Sequence, residues 1–164
     1  MESCGFNPIA TASVPISRFT DAWSRVGDLA DYFGEISSPR RADPVRHSNI
    51  YSTILNELLE ISVHLSRPNG RLDLLLCHDG IVDRFTIRVD CDDAARRMVI
   101  DAIGSLDRHR AKAAFRNALL TPGQVHPCLG LFELIADYAA QIVTSGDEDT
   151  LTLQVDVCLK DDAQ

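Results

Sequence analysis

Glu57 and Glu60 are the side chains best placed to do chemistry in this chain. They sit in Ile-Leu-Asn-Glu-Leu-Leu-Glu-Ile-Ser-Val-His-Leu, residues 54–65, and a spacing of three puts both carboxylates on one side of a helix, a turn apart. Ile50, Ile54, Leu55, Leu58, Leu59, Ser62 and Leu65 make the apolar stripe of that helix, with Asn56, Glu57, Glu60 and His64 beside or opposite it. Two carboxylates in such a place are either a site for acid–base work or a solvated face. The rest of the chain has to decide between these readings.

Other reactive residue types give less. Cys4, Cys77, Cys91, Cys128 and Cys158 are odd in number, widely spread and without a Cys-x-x-Cys pair, the pattern of reduced thiols in a cytoplasmic protein. His47, His64, His78, His109 and His126 show no ligand spacing such as His-Glu-x-x-His, so no metal site is expected. A Gly-x-Ser-x-Gly elbow is absent, which argues against a hydrolase.

The elements that must carry Glu57 and Glu60 follow from periodicity. Residues 1–15, with Pro8 and Pro15, read as a flexible leader or a short edge strand. Phe19, Trp23, Val26, Leu29, Ala30 and Phe33 predict a first helix from Ile16 to Gly34, ended by that glycine. The Glu57 helix runs from about Pro44 to Ser66 and stops at Arg-Pro-Asn-Gly. A hairpin follows, residues 72–77 and 82–89 around His-Asp-Gly.

Asp92 and Asp93 are ready N-caps for a third helix through Leu106, and a further helical stretch reaches Leu120. The spacing of Leu131, Leu134, Ile135, Tyr138 and Ile142 predicts another helix over 129–143. Leu151, Leu153, Val155, Val157 and Leu159 alternate with polar residues, which marks a strand with one buried face. The order predicts an α+β fold: a two-layer α/β sandwich with helices over one face of a mainly antiparallel sheet. Residues 16–160 form its single domain, with 161–164 as a tail.

A length of 164 residues with 45% hydrophobic content suits one core. A net charge of −8 argues against a nucleic-acid binder, since phosphate neutralisation needs a concentrated basic surface. Basic runs such as Arg40-Arg41 and Arg108-His109-Arg110 are short. No apolar run approaches membrane-spanning length, and no export signal is present, so a cytoplasmic location is expected.

Two stretches then carry a resemblance. Asn56-Glu57-Leu58-Leu59-Glu60 before a hairpin, and Cys128-Leu129-Gly130-Leu131-Phe132-Glu133-Leu134-Ile135-Ala136-Asp137-Tyr138-Ala139 before a final strand, resemble small bacterial regulators with a histidine-kinase-like (GHKL) ATPase fold, the SiaB-like proteins and cyanobacterial relatives. The resemblance implies a helix whose Glu orients or deprotonates a nucleophile, matched by Glu57. It implies an Asn four residues on that helps hold Mg²⁺, and there this chain has Ile61. An Asp that reads adenine would fall on Asp90 or Asp92, with no glycine following. Glycines that cradle phosphate would be represented by Gly130 alone.

With its nucleotide boxes so degenerate, the resemblance implies a regulatory module that binds a small cytosolic partner protein in a partner-switch or anti-sigma-like role, with lost or weak ATP binding. The alternative is an active Mg·ATP-dependent serine protein kinase acting on such a partner, with Glu57 as base. The aromatics Phe19, Trp23 and Phe33 mark the first helix as the segment for a homodimer contact or for covering its own domain.

Overall fold

The computed structural model describes residues 5–104, 106–123 and 125–159. Cys4, the first four residues of the expected leader and the expected tail lie outside them. Eleven elements follow in the order β1 (Asn7–Pro15), α1 (Ser17–Thr20), α2 (Ser24–Ser37), α3 (Pro44–Leu65), β2 (Arg71–His78), β3 (Asp83–Asp90), α4 (Asp93–Ile103), α5 (Arg108–Leu120), α6 (Leu129–Tyr138), β4 (Gln141–Ser145) and β5 (Thr150–Val157). The five strands form one sheet in the order β1-β2-β3-β5-β4, and each neighbouring pair is antiparallel.

Alternation sets the two faces. Leu72, Leu74 and Leu76 of β2, Phe85, Ile87 and Val89 of β3, and Leu151, Leu153, Val155 and Val157 of β5 are buried on the helix side. Their neighbours point away: Arg84 and Asp156, opposite each other in the register, form a two-pronged ion pair on the uncovered face. Packed on the inner face, α3 buries Ile54, Leu55, Leu58 and Leu59 completely. Asp43 caps its start by accepting from the Arg46 N–H at 3.0 Å, with Pro44 preset for the first turn.

Strand β1 lies at one edge of the sheet, and several features blunt it. Pro8 and Pro15 lack an N–H, a register irregularity falls between Pro8 and Ala10, and the Arg71 guanidinium donates to the Ser13 carbonyl at 3.3 Å. The opposite edge, β4, carries no proline and exposes Val143.

Three boundaries differ from expectation. The first helix is two, α1 and α2, separated at residues 21–23. Gly34 does not end α2, which continues to Ser37; a Cβ at Gly34 would lie 2.6 Å from the Ser48 carbonyl oxygen, so glycine serves the close crossing of α2 over α3. The helix expected over 129–143 ends at Tyr138. Ala139 takes a left-handed φ of 51° and turns the chain into β4, where Ile142, Val143 and Thr144 suit a strand better than a helix.

The aromatic stripe also divides. Phe19 and Phe33 are buried in this chain's own core, and only Trp23, 51% exposed, is left on the surface. At the far end of the sheet Asp83 is wholly buried, paired with Arg41 of the α2–α3 loop at 2.6 Å and with His78 at 3.2 Å. No helix among the described residues is long and apolar enough to cross a membrane.

Candidate functional site

The buried stripe of α3 fixes the rotation of that helix, and the rotation presents Glu57 and Glu60 along its flank toward α6. There Gly130, in the first turn of α6, meets Glu57 directly. A Cβ built on Gly130 would lie 2.3 Å from Glu57 Oε2 and 3.3 Å from Glu57 Cβ. Glycine is what lets the two helices approach with the carboxylate between them. The structure therefore brings together two of the residues singled out in the sequence, Glu57 and Gly130, from positions 73 apart.

Glu57 is half-buried, and burial is the main cause that pushes its carboxyl above its ordinary value of 4.5; Glu133 and then Glu60 add to the rise. Glu133 is likewise pushed up, first by burial and then by Asp137. The Tyr138 hydroxyl is raised by burial, then by Glu133, Asp137 and Glu57. The first turn of a helix favours a nearby carboxylate by about 0.3–1 kcal/mol, which opposes the rise in Glu57 without reversing it. Asn56 is committed to Glu60, donating from Nδ2 to Oε1 at 2.9 Å. At this junction Glu57 and Glu133 hold their protons more tightly than an ordinary carboxyl.

Beside it opens a cleft of about 230 Å³, with Glu57, Glu60, Ile61 and His64 on the α3 side. Val125, His126, Pro127, Leu129 and Gly130 form the other wall, and Trp23 the lip. That volume is below the ~300–1,000 Å³ of pockets that enclose drug-sized ligands. Ile61, only 4% exposed, packs where the resemblance would place a metal-holding Asn. His126 Nδ1 accepts from the Cys128 N–H at 3.0 Å and its ring lies 5.0 Å from that of Phe132. Among the described residues that line the cleft there is neither lysine nor arginine. Among the described residues no group of three His, Cys, Asp or Glu side chains is placed to hold a metal ion.

Asp90 and Asp92 are elsewhere. Both adjoin the end of α3, where Cys91 bridges Ser66, and Glu57 lies eight residues before Leu65, about 12 Å along the axis at 1.5 Å per residue. Asp90 accepts from the Arg71 N–H at 2.9 Å and pairs with Thr150 in the sheet. Asp92 caps α4, accepting from the Ala95 N–H at 2.8 Å. Neither lines the cleft.

Glu133 and Trp23 belong to the site without having been picked out for it from the sequence, whereas His126, four residues before Gly130, is a residue the sequence offers beside that glycine. For Glu133 a signal existed: it lies three residues after Gly130, hence on the same side of α6. Trp23 reaches the cleft from the α1–α2 junction, and nothing local announces that.

No family model matches the chain, and no curated protein does. Solved structures give a different answer. The chain aligns with one from the crystal structure of the SiaB-SiaC complex from Pseudomonas aeruginosa at a TM-score of 0.61, over 93% of this chain and 91% of that one. The two share a fold. They are 14% identical, so the likeness carries the arrangement of helices and strands and not the side chains of the cleft.

Proposed function

We propose that this chain is a regulatory signalling module that binds a small protein partner through a fold of the histidine-kinase-like (GHKL) ATPase type, with its nucleotide site given over to packing. The observation that carries this reading is the Glu57–Gly130 contact. In a phosphate cradle the glycine keeps its N–H groups open to the ligand; here a carboxylate lies against that glycine. Ile61 adds no donor for a hard cation, and the cleft walls offer a phosphate His64 and His126 but neither lysine nor arginine, beside Glu57 and Glu60.

Mg·ATP fits such a donor set poorly. Asp90 and Asp92, engaged by backbone N–H groups at the end of α3, are spoken for as structural residues. What a fold retains when such a site closes is surface, and protein recognition needs an apolar patch with a polar rim instead of a phosphate cradle. Support also comes from the shared fold with a chain solved in a complex of two proteins.

Titration calorimetry and thermal shift with millimolar Mg·ATP test the proposal. A ligand at a hundred times its Kd stabilises by about 2.7 kcal/mol, which in a chain of this size raises Tm by on the order of 5–10 °C. The expected result is no saturable heat and no shift. Saturable binding abolished by Glu57→Ala would refute the proposal in favour of an active kinase with Glu57 as base, Asp90 or Asp92 at adenine and Gly130 at the phosphates.

A further inference from the structure

One helix runs against the charge of the whole chain. In α5, Arg108, Arg110, Lys112 and Arg116 are four of the chain's 16 lysines and arginines, joined by His109, and the helix has no acidic residue. The remainder carries all 24 acidic groups. Helical spacing puts Lys112 and Arg116 in one row, both exposed and off the side that carries Ala111, the buried residue of the helix. Among the described residues neither Lys112 nor Arg116 enters an ion pair.

Continuing the row, Leu119 is 58% exposed and the adjacent Leu120 74%. Val125, 73% exposed, follows five residues later and forms part of the cleft wall. The inner side of α5 is taken up by α6, with Ala111 packed on Ile135 and Ala136 and Arg108 Nε donating to the Ala136 carbonyl at 2.9 Å. A rigidly seated helix thus presents cations leading into exposed leucines. Large apolar side chains kept in water beside unneutralised charge mark a surface that is completed by something else.

We infer that the outer row of α5, ending at Leu119 and Leu120, is a docking face for an acidic, leucine-accepting surface of a small protein partner; this rests on the partner-binding reading and locates its surface. Charge complementarity selects the occupant. In a chain of net charge −8 this helix is a cationic island, so it steers an acidic protein to one place and leaves it repelled elsewhere. Duplex nucleic acid fits less well, because its long phosphate array would also face the acidic remainder. A membrane surface fits less well because an interfacial helix inserts a continuous apolar face along its length, whereas the exposed leucines of α5, Leu119 and Leu120, are confined to its last turn.

Fluorescence anisotropy with a labelled helical peptide bearing a Glu row beside a Leu row, and with its Gln analogue, tests this on the whole chain. The acidic peptide is expected to bind with a Kd that weakens with salt, and Lys112→Glu with Arg116→Glu to weaken it by about tenfold, the scale of two exposed ion pairs. Leu119→Ser with Leu120→Ser is expected to weaken it as well. If charge reversal perturbs the circular dichroism, Lys112→Gln with Arg116→Gln replaces it, with loss of the salt dependence as readout. No binding of the acidic peptide, equal binding of the Gln analogue, or unchanged binding by the reversed variant would each overturn the inference. So would tighter binding to duplex DNA or to phosphatidylserine vesicles that the same reversal abolishes. Such failure with Mg·ATP still unbound removes this face and leaves the partner reading; saturable Mg·ATP removes the reading and leaves the face.

Discussion

Replacing Gly130 by alanine separates a packing glycine from a phosphate-cradling one. The new Cβ would stand 2.3 Å from Glu57 Oε2, well inside contact distance, so one of the two must move. The obstacle is the end of a flexible side chain, and Glu57 has reason to leave: it is half-buried and faces Glu133 and Glu60. Against the cost of turning the carboxylate out stands the gain of a helical alanine over glycine, up to about 1 kcal/mol. The two nearly cancel, and Gly130→Ala is expected to change stability by less than about 1 kcal/mol, a Tm change within ~2–4 °C for a chain of this length. Coupling is the sharper readout. With Glu57→Ala present the collision with Oε2 is gone, so Gly130→Ala becomes stabilising, and the double-mutant cycle yields an interaction energy of about 0.5–1.5 kcal/mol, within the range for contacting residues. Thermal and urea unfolding followed by circular dichroism measure all four proteins. A loss of about 3 kcal/mol or more in both backgrounds, or additivity within error, would refute the contact as the reason for the glycine.

Gly34→Ala makes the contrasting case, because its Cβ meets the Ser48 backbone oxygen at 2.6 Å and not a movable side chain; a net loss of about 1–3 kcal/mol in urea unfolding is expected. Glu57→Gln is expected to raise Tm at pH 7. A carboxyl whose folded pKa is raised destabilises the fold above that pKa and ceases to do so below its unfolded value near 4.5, so the advantage of the variant should fade as pH falls through that range. A constant difference from pH 8 to pH 3 would show that desolvation of the charge is not the cause. Asp83→Ala leaves Arg41 against the buried end of the sheet without its carboxylate and is expected to cost about 3 kcal/mol; a urea midpoint equal to that of the parent chain would contradict this.

The Glu57 helix, the hairpin and the last strand were legible in the sequence because each is set by its own pattern: a long apolar stripe, a turn signal, a clean alternation. The boundaries that moved were set by distant residues. Nothing near Gly34 says that the Ser48 carbonyl waits above it, and Gln141–Ser145 becomes a strand because β5 offers it a partner. The stripe of Phe19, Trp23 and Phe33 was visible, but which member stays outside was not. At the site, Glu57 and Gly130 were each identifiable by type and spacing. That the carboxylate of one fills the space left by the other is a property of the α3–α6 crossing, which local sequence does not encode. The sequence favours Asp92 as a cap over an adenine-reading role, and its bond to the Ala95 N–H is that of a cap.

The two ends of the sheet have unequal capacity for growth. At β1, prolines and the Arg71 clasp on the Ser13 carbonyl leave few free groups in register for an incoming strand. At β4, Gln141–Ser145 presents an uninterrupted edge. An extension with only one open end has nowhere to continue: two copies joined β4 to β4 would carry a β1 edge at each outer end. The proline-bearing edge at β1 thus works against edge-to-edge growth of the sheet beyond a β4-to-β4 pair.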